Sequence, residues 1–366
     1  MSILIFIIIL AVLILVHEFG HFIVAKKNGI RVDEFGIGFP PKLYGKKFGE
    51  TEYTLNLFPI GGFVKIFGET PNEESISGPD SARSFVHKSK WVQTAVISAG
   101  VFFNMLLAWV LVSFGFIIGL PTPVDLAPEG ATVRDVSVVV TSVLPESPAE
   151  LAGLQAGDRI TSFSRPGQFV ASPQIETIQA GIKTSTGGGV VLGVERGKDT
   201  LSFSLTPAEG IAESGVAIGI SMDDIGVVSL PPHRALWEGG KLTALLTTTT
   251  FFGLLDFFGS VFSGNADLSA VAGPVGIVGI VGDAASFGFV YLITLTAIIS
   301  INLAIINLLP FPALDGGRLL FIIIETIKGS AIKPHIANTV NAIGFALLIL
   351  LMLVITYNDI VRAIAG

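Results

Sequence analysis

Long apolar runs separated by polar or β-patterned stretches set the outline of the chain. They cover Ser2 to Ala25, about Val92 to Leu120, about Phe287 to Leu309 and about Ile336 to Tyr357. Each supplies the roughly 20 residues that a helix rising 1.5 Å per residue needs to cross a hydrocarbon core. The pattern predicts a polytopic α-helical membrane protein with about four transmembrane helices. The first run lacks a basic leading segment and a small-residue cleavage site, and it is longer than a signal-peptide core, so it reads as a retained helix. Basic residues crowd the loop after it, from Lys26 and Lys27 through Lys46 and Lys47 to Lys88 and Lys90, and Arg318, Lys328 and Lys333 mark the loop before the last run. By the positive-inside rule both loops are cytoplasmic, which puts both termini and the stretch from Pro121 to about Ser286 outside.

Between the runs the period changes. VSVVVTSV opens a β-branched stretch that turns at Pro145, passes a short helical piece and reaches Gly157-Asp158 before another strand. VVLGVERG and TLSFSLTP add two more, so about Thr132 to Pro207 reads as a small β-rich domain. His233 to Phe262 is amphipathic, with aromatics gathered in FFGLLDFFGSVF, and reads as lying along the outer membrane surface. AGPVGIVGIVG packs small residues ahead of the third run, which fits close helix contact or a flexible gate. Phe35 to Gly68, with its aromatics, β-branched residues and glycines, reads as β hairpins directly after a membrane helix. The expected division is residues 1–128 with two membrane helices and the β segment 35–68, residues 129–208 as the β-rich domain, residues 209–286 as a membrane-surface and gate-like region, and residues 287–366 with the last two helices.

Composition fits a membrane setting, with 51% hydrophobic and 14% charged residues and a mean hydropathy of +0.73. A net charge of −7 offers no basic face for phosphates, which excludes nucleic acid as a partner. The absence of cysteine excludes disulfides and thiolate metal sites.

The first run nevertheless ends in VHEFGH, residues 16 to 21. Residues four apart share a helix face, so His17 and His21 can offer two nitrogens to one metal ion, with Glu18 beside them as a general base acting on water. An unpartnered ionisable group in a membrane costs on the order of 2–3 kcal/mol, and a metal removes that cost, which favours zinc over a satisfied pair of core histidines. By helix rise from Lys26 the ion lies roughly 8–14 Å inside the cytoplasmic boundary. Catalytic zinc takes three protein ligands. His87, His233 and His335 fall in or near loops and suit the third place poorly. Asp315, in NLLPFPALDGG, follows the helix-breaking Pro310 and Pro312 at a matching depth. Asn302 and Asn307 are amides in the same apolar run and need partners as well, either the main chain of a bound peptide or neighbouring helices.

HEFGH in the first run paired with NLLPFPALDGG in the third resembles the site-2 protease family of intramembrane zinc metalloproteases. The arrangement is most similar to its bacterial regulator of sigma-E protease branch, where PDZ domains lie between the second and third spans. GGFVKIFGE, AGLQAGD and AGPVGI extend the likeness over most of the chain. The resemblance implies Zn2+ held by His17, His21 and Asp315, Glu18 as the catalytic residue, Asn307 holding substrate main chain, and a PDZ-like character for residues 129–208. It implies a bacterial inner-membrane enzyme that cleaves single-span proteins, such as anti-sigma factors or remnant signal peptides, within their transmembrane segments, its PDZ-like domain contacting substrate or a partner protein. Members of the branch carry two tandem PDZ domains and the outer stretch here has room for one, so roles tied to the pair do not transfer. The β segment would offer an edge on which unwound substrate adds a strand, or only anchor the chain in the lipid interface.

Two other readings compete. A metal transporter needs further ionisable residues along a path to the opposite face, and the other runs hold almost none. A peptide-binding scaffold without catalysis has no need of an intact Glu18.

Overall fold

The structure, a computed structural model, describes residues 1–70, 72–185, 188–197, 199–212, 215–264 and 272–365. It divides into two compact units, one formed by Met1–Val112, Gly239–Ala285 and Leu292–Gly366, the other by Ser113–Glu238 and Ser286–Tyr291.

The first unit opens with α1 (Ser2–Lys27), whose buried residues Ile9, Leu13, His17, Gly20, His21 and Ala25 recur at steps of about three and four and so form one stripe. The two histidines lie on that stripe rather than on a lipid face. A ribbon follows, β1 (Val32–Phe48) and β2 (Thr51–Ile66). Both strands break in the middle, at Gly38 (φ 78°) and Gly61 (φ 96°), values that favour glycine. Residues 32–37 therefore pair with 62–66 on one side and 52–55 on the other, while 42–48 pair with 51–56. The expected hairpins thus form a four-stranded ribbon in the order 62–66, 32–37, 51–56, 42–48, and among the described residues its two edges are 62–66 and 42–48. Phe22 of α1 packs on Phe35 and Tyr53, with ring centroids 5.2 and 6.1 Å away, which seats the ribbon against the helix.

After the short α2 (Glu73–Ser77), α3 (Lys90–Ile118) returns beside α1. The two helices meet at Gly20, where a Cβ would stand 2.5 Å from the Ala99 carbonyl oxygen.

The second unit is a seven-stranded sheet. Its strands are β3 (Leu120–Pro123), β4 (Thr132–Val143), β5 (Arg159–Arg165), β6 (Gln168–Ala171), β7 (Val190–Arg196), β8 (Asp199–Leu205) and, after the separate pair β9 (Ala208–Ala212) and β10 (Gly215–Ala217), β11 (Ile220–Ser229). The order is β3-β11-β4-β5-β7-β8, with β6 on β5. The helices α4 (Pro148–Ala152) and α5 (Ile175–Thr184) complete the unit, whose core centres on Val140, Phe163, Ile178, Leu192 and Val194, all fully buried. The Gly157-Asp158 turn is fixed by Asp158, which is buried, pairs with Arg196 at 2.6 Å and accepts the Gln155 N–H. The sheet outruns the expected Thr132 to Pro207. It recruits β11, which pairs along β4 from Ile220 opposite Val143 to Ser229 opposite Thr132. The adjacent aspartates of ISMDDIGVVS obscure that strand's alternation, and its partner lies far back in the chain.

The remaining helices are α6 (Pro232–Phe262), α7 (Pro274–Phe287), α8 (Phe289–Leu308), α9 (Asp315–Lys328) and α10 (Pro334–Ala365). Five helices among the described residues are long and apolar enough to cross a membrane: α1, α3, α6, α8 and α10. The extra one is α6, whose sequence was expected to lie along the outer membrane surface and whose length and composition also admit a crossing. Its first half packs lengthwise on α3, with Gly240 against Trp109 and the Thr247 hydroxyl 3.6 Å from the Met105 sulfur. The threonines that lower its hydropathy give their hydroxyls to carbonyls of their own helix, Thr243 to Gly239 and Thr247 to Thr243, both at 2.7 Å, so they carry little cost in an apolar setting. Residues 265–271 of the expected gate-like region lie outside the described residues.

Candidate metal centre

His17 and His21 stand one turn apart on the buried stripe of α1, with 7% and 6% of their surface exposed. Asp315 reaches them from another part of the chain. After α8 ends, Pro310 and Pro312 cannot continue a helix, and Ala313 takes a left-handed conformation (φ 74°) with its N–H donated to Oδ1 of Asn341 in α10 at 3.2 Å. Asp315 is then the first residue of α9, where a carboxylate is favoured by the helix dipole.

The three ligand atoms form a triangle. His17 Nε2 and His21 Nε2 are 3.1 Å apart, and Asp315 Oδ2 lies 3.0 Å from the first and 3.4 Å from the second. Zinc bonds of 2.0–2.1 Å in tetrahedral geometry require edges of about 3.3 Å, so the triangle has the size of one face of such a site. Asp315 Oδ2 is buried and takes no hydrogen bond among the described residues. His21 donates its Nδ1–H to the Val96 carbonyl at 2.8 Å, which leaves Nε2 with a lone pair for a metal. A Cβ on Gly100 would come within 2.5 Å of His21 Nε2 and 2.7 Å of His17 Nε2, so the bare glycine leaves the room the imidazoles occupy. The residues present therefore fit a zinc ion. Among the described residues this is the one group of three His, Asp or Glu side chains able to share a metal.

Glu18 is half-buried, and its Oε2 accepts the Val64 N–H from the ribbon edge at 3.0 Å. That bond fixes one carboxylate oxygen and leaves the other for water. Asn302 and Asn307 of α8 are half-buried. His87, exposed, bonds the Ile76 carbonyl, and His233 and His335 are exposed; none joins the cluster. Sequence reasoning missed Asn104 and the Val64 N–H. Asn104 is an amide in an apolar run, the same signal that singled out Asn302 and Asn307.

Comparison with known proteins agrees with this chemistry. A model of peptidase family M50 matches residues 5–351. A Clostridium perfringens protein provisionally named a zinc metalloprotease is 38% identical over 95% of each chain. The regulator of sigma-E protease RseP of Escherichia coli is 31% identical over 98% of each chain, and the zinc metalloprotease RasP of Geobacillus kaustophilus is 31% identical over 98% of this chain and 97% of its own. The alignment to the Escherichia coli protein runs over 447 positions, more than the 366 residues here, so that relative has segments this chain lacks. The chain belongs to peptidase family M50, the site-2 protease family, and is a zinc-dependent protease.

Proposed function

We propose that the protein hydrolyses peptide bonds inside the transmembrane segments of single-span membrane proteins, anti-sigma factors or remnant signal peptides being the substrate types, as a step of regulated intramembrane proteolysis. The observation that carries this reading is the buried His17, His21 and Asp315 triangle beside Glu18 and an open strand edge. In this reading the three side chains hold zinc, which supplies Lewis acidity that polarises the scissile carbonyl and acidifies water. Glu18 removes a proton from the attacking water and returns it to the leaving amine. A helical substrate hides its peptide groups, so it must unwind first. The edge at residues 62–66 offers main-chain groups for an added strand, and the Asn307 and Asn302 amides hold further substrate main chain.

The site lies toward the cytoplasmic leaflet of a bacterial inner membrane, in reach of the lysine-rich loop. We place both termini outside the cytoplasm, with α6 and the shorter α7 entering and returning as a pair among the lipids. In the second unit, a PDZ-like domain, a cavity of about 640 Å³ lies between α5 and the start of β11, lined by Ile182, Lys183, Ile218 and Gly219. It suits an extended peptide from substrate or a partner protein.

Co-expression with tagged single-span candidates tests the reading. A fragment cut within the membrane segment is expected with the wild type, reduced 10²- to 10⁴-fold by Glu18→Gln. Equal cleavage by both would end this account of the base.

A further inference from the structure

We propose that Asn104 is a positioning residue for the metal centre: its side-chain carbonyl accepts the Nδ1–H of His17 and so presents Nε2 to the metal. The inference deepens the zinc reading and rests on it.

Imidazole has two nitrogens, and one can bind a metal only while the other carries the proton and has somewhere to donate it. For His21 that acceptor is the Val96 carbonyl at 2.8 Å. For His17, Nδ1 faces the Asn104 amide, with Nδ2 at 3.4 Å. Asn104 is completely buried, and its Oδ1 has no hydrogen-bond partner among the described residues. A half-turn of the amide exchanges its oxygen and nitrogen, which puts the carbonyl where the His17 proton must go. The main chain at Asn104 is tied to α8, since Ser300 donates its hydroxyl to the Asn104 main-chain oxygen at 2.8 Å.

The spacing on α3 supports the role. Val96, Gly100 and Asn104 follow at steps of four on one face, and each serves the histidines: Val96 orients His21, Gly100 leaves space for both rings, Asn104 faces His17. The neighbouring-helix group that the Asn104 amide meets is the back of a metal ligand.

The test uses the full-length chain carrying Glu18→Gln, with zinc affinity read by competition against a chromophoric chelator, so that no readout depends on hydrolysis. Asn104→Leu, similar in size and unable to accept, is expected to weaken zinc binding about 10- to 100-fold. Asn104→Asp, which keeps an acceptor, is expected to stay within about threefold of the parent, as carboxylates commonly back zinc-bound imidazoles. If the leucine variant does not fold, Asn104→Ala takes its place with the same expectation. An unchanged affinity in the leucine or alanine variant, or an aspartate variant that loses as much as they do, overturns the proposal. A parent that binds no zinc, or keeps it after His17→Ala, refutes the metal reading itself, a separate outcome.

Discussion

Gly100 carries no chemistry and still controls the site. Its missing side chain leaves the space in which His17 and His21 converge, and a methyl group there would sit 2.5 Å from a ligand nitrogen. Gly100→Ala is therefore expected to lower zinc affinity at least about tenfold while the chain still folds, read by the same chelator competition; an unaffected variant would show that the helices relax apart freely. His17, Glu18, His21 and Asp315 were legible in the sequence because ionisable groups in an apolar run demand a partner. Gly100 was not, since its part exists only where α1 and α3 cross, and Asn104 showed only as an amide in an apolar run, with nothing to link it to His17. The Val64 N–H was illegible for a simpler reason: a main-chain donor has no signature in the sequence.

At the level of elements, the ribbon decides how Glu18 is held and where a substrate strand adds. Proline at Val64 removes the N–H that fixes the carboxylate and interrupts the open edge, a place where strands tolerate proline. Val64→Pro is expected to reduce cleavage at least about tenfold with zinc content unchanged; full activity would mean that the edge takes no part. The ribbon's tip is tied down separately. Lys26 and then Arg83 hold the Glu50 carboxyl below its ordinary 4.5, through contacts of 2.7 Å each. A lowered carboxylate pKa contributes stability above the unfolded value and loses it as pH falls through the folded one. Glu50→Gln should thus melt below the wild type near neutral pH, and the gap should narrow as pH falls below the ordinary 4.5 and through the lowered folded pKa; a constant gap would assign the loss to packing. The sequence announced strands at 35–68, but not their doubling back, because the breaks at Gly38 and Gly61 fix the register. The sequence makes α6 the least apolar of the five long helices because threonine counts as polar even when its hydroxyl is satisfied by its own helix.

For the whole molecule, the membrane helices were legible from apolar length, while the full sheet of the second unit was not, because β11 pairs with a strand far earlier in the chain. The function rests on distant parts of the sequence meeting: α1 brings two histidines, α9 brings the aspartate, and α3 lines the space they share. Zinc content of the purified, detergent-solubilised protein tests this most directly. The account predicts one equivalent per chain in the wild type and in Glu18→Gln, and less than about a tenth of that in Asp315→Ala. A wild type without zinc, or an Asp315→Ala variant with its full equivalent, would contradict it.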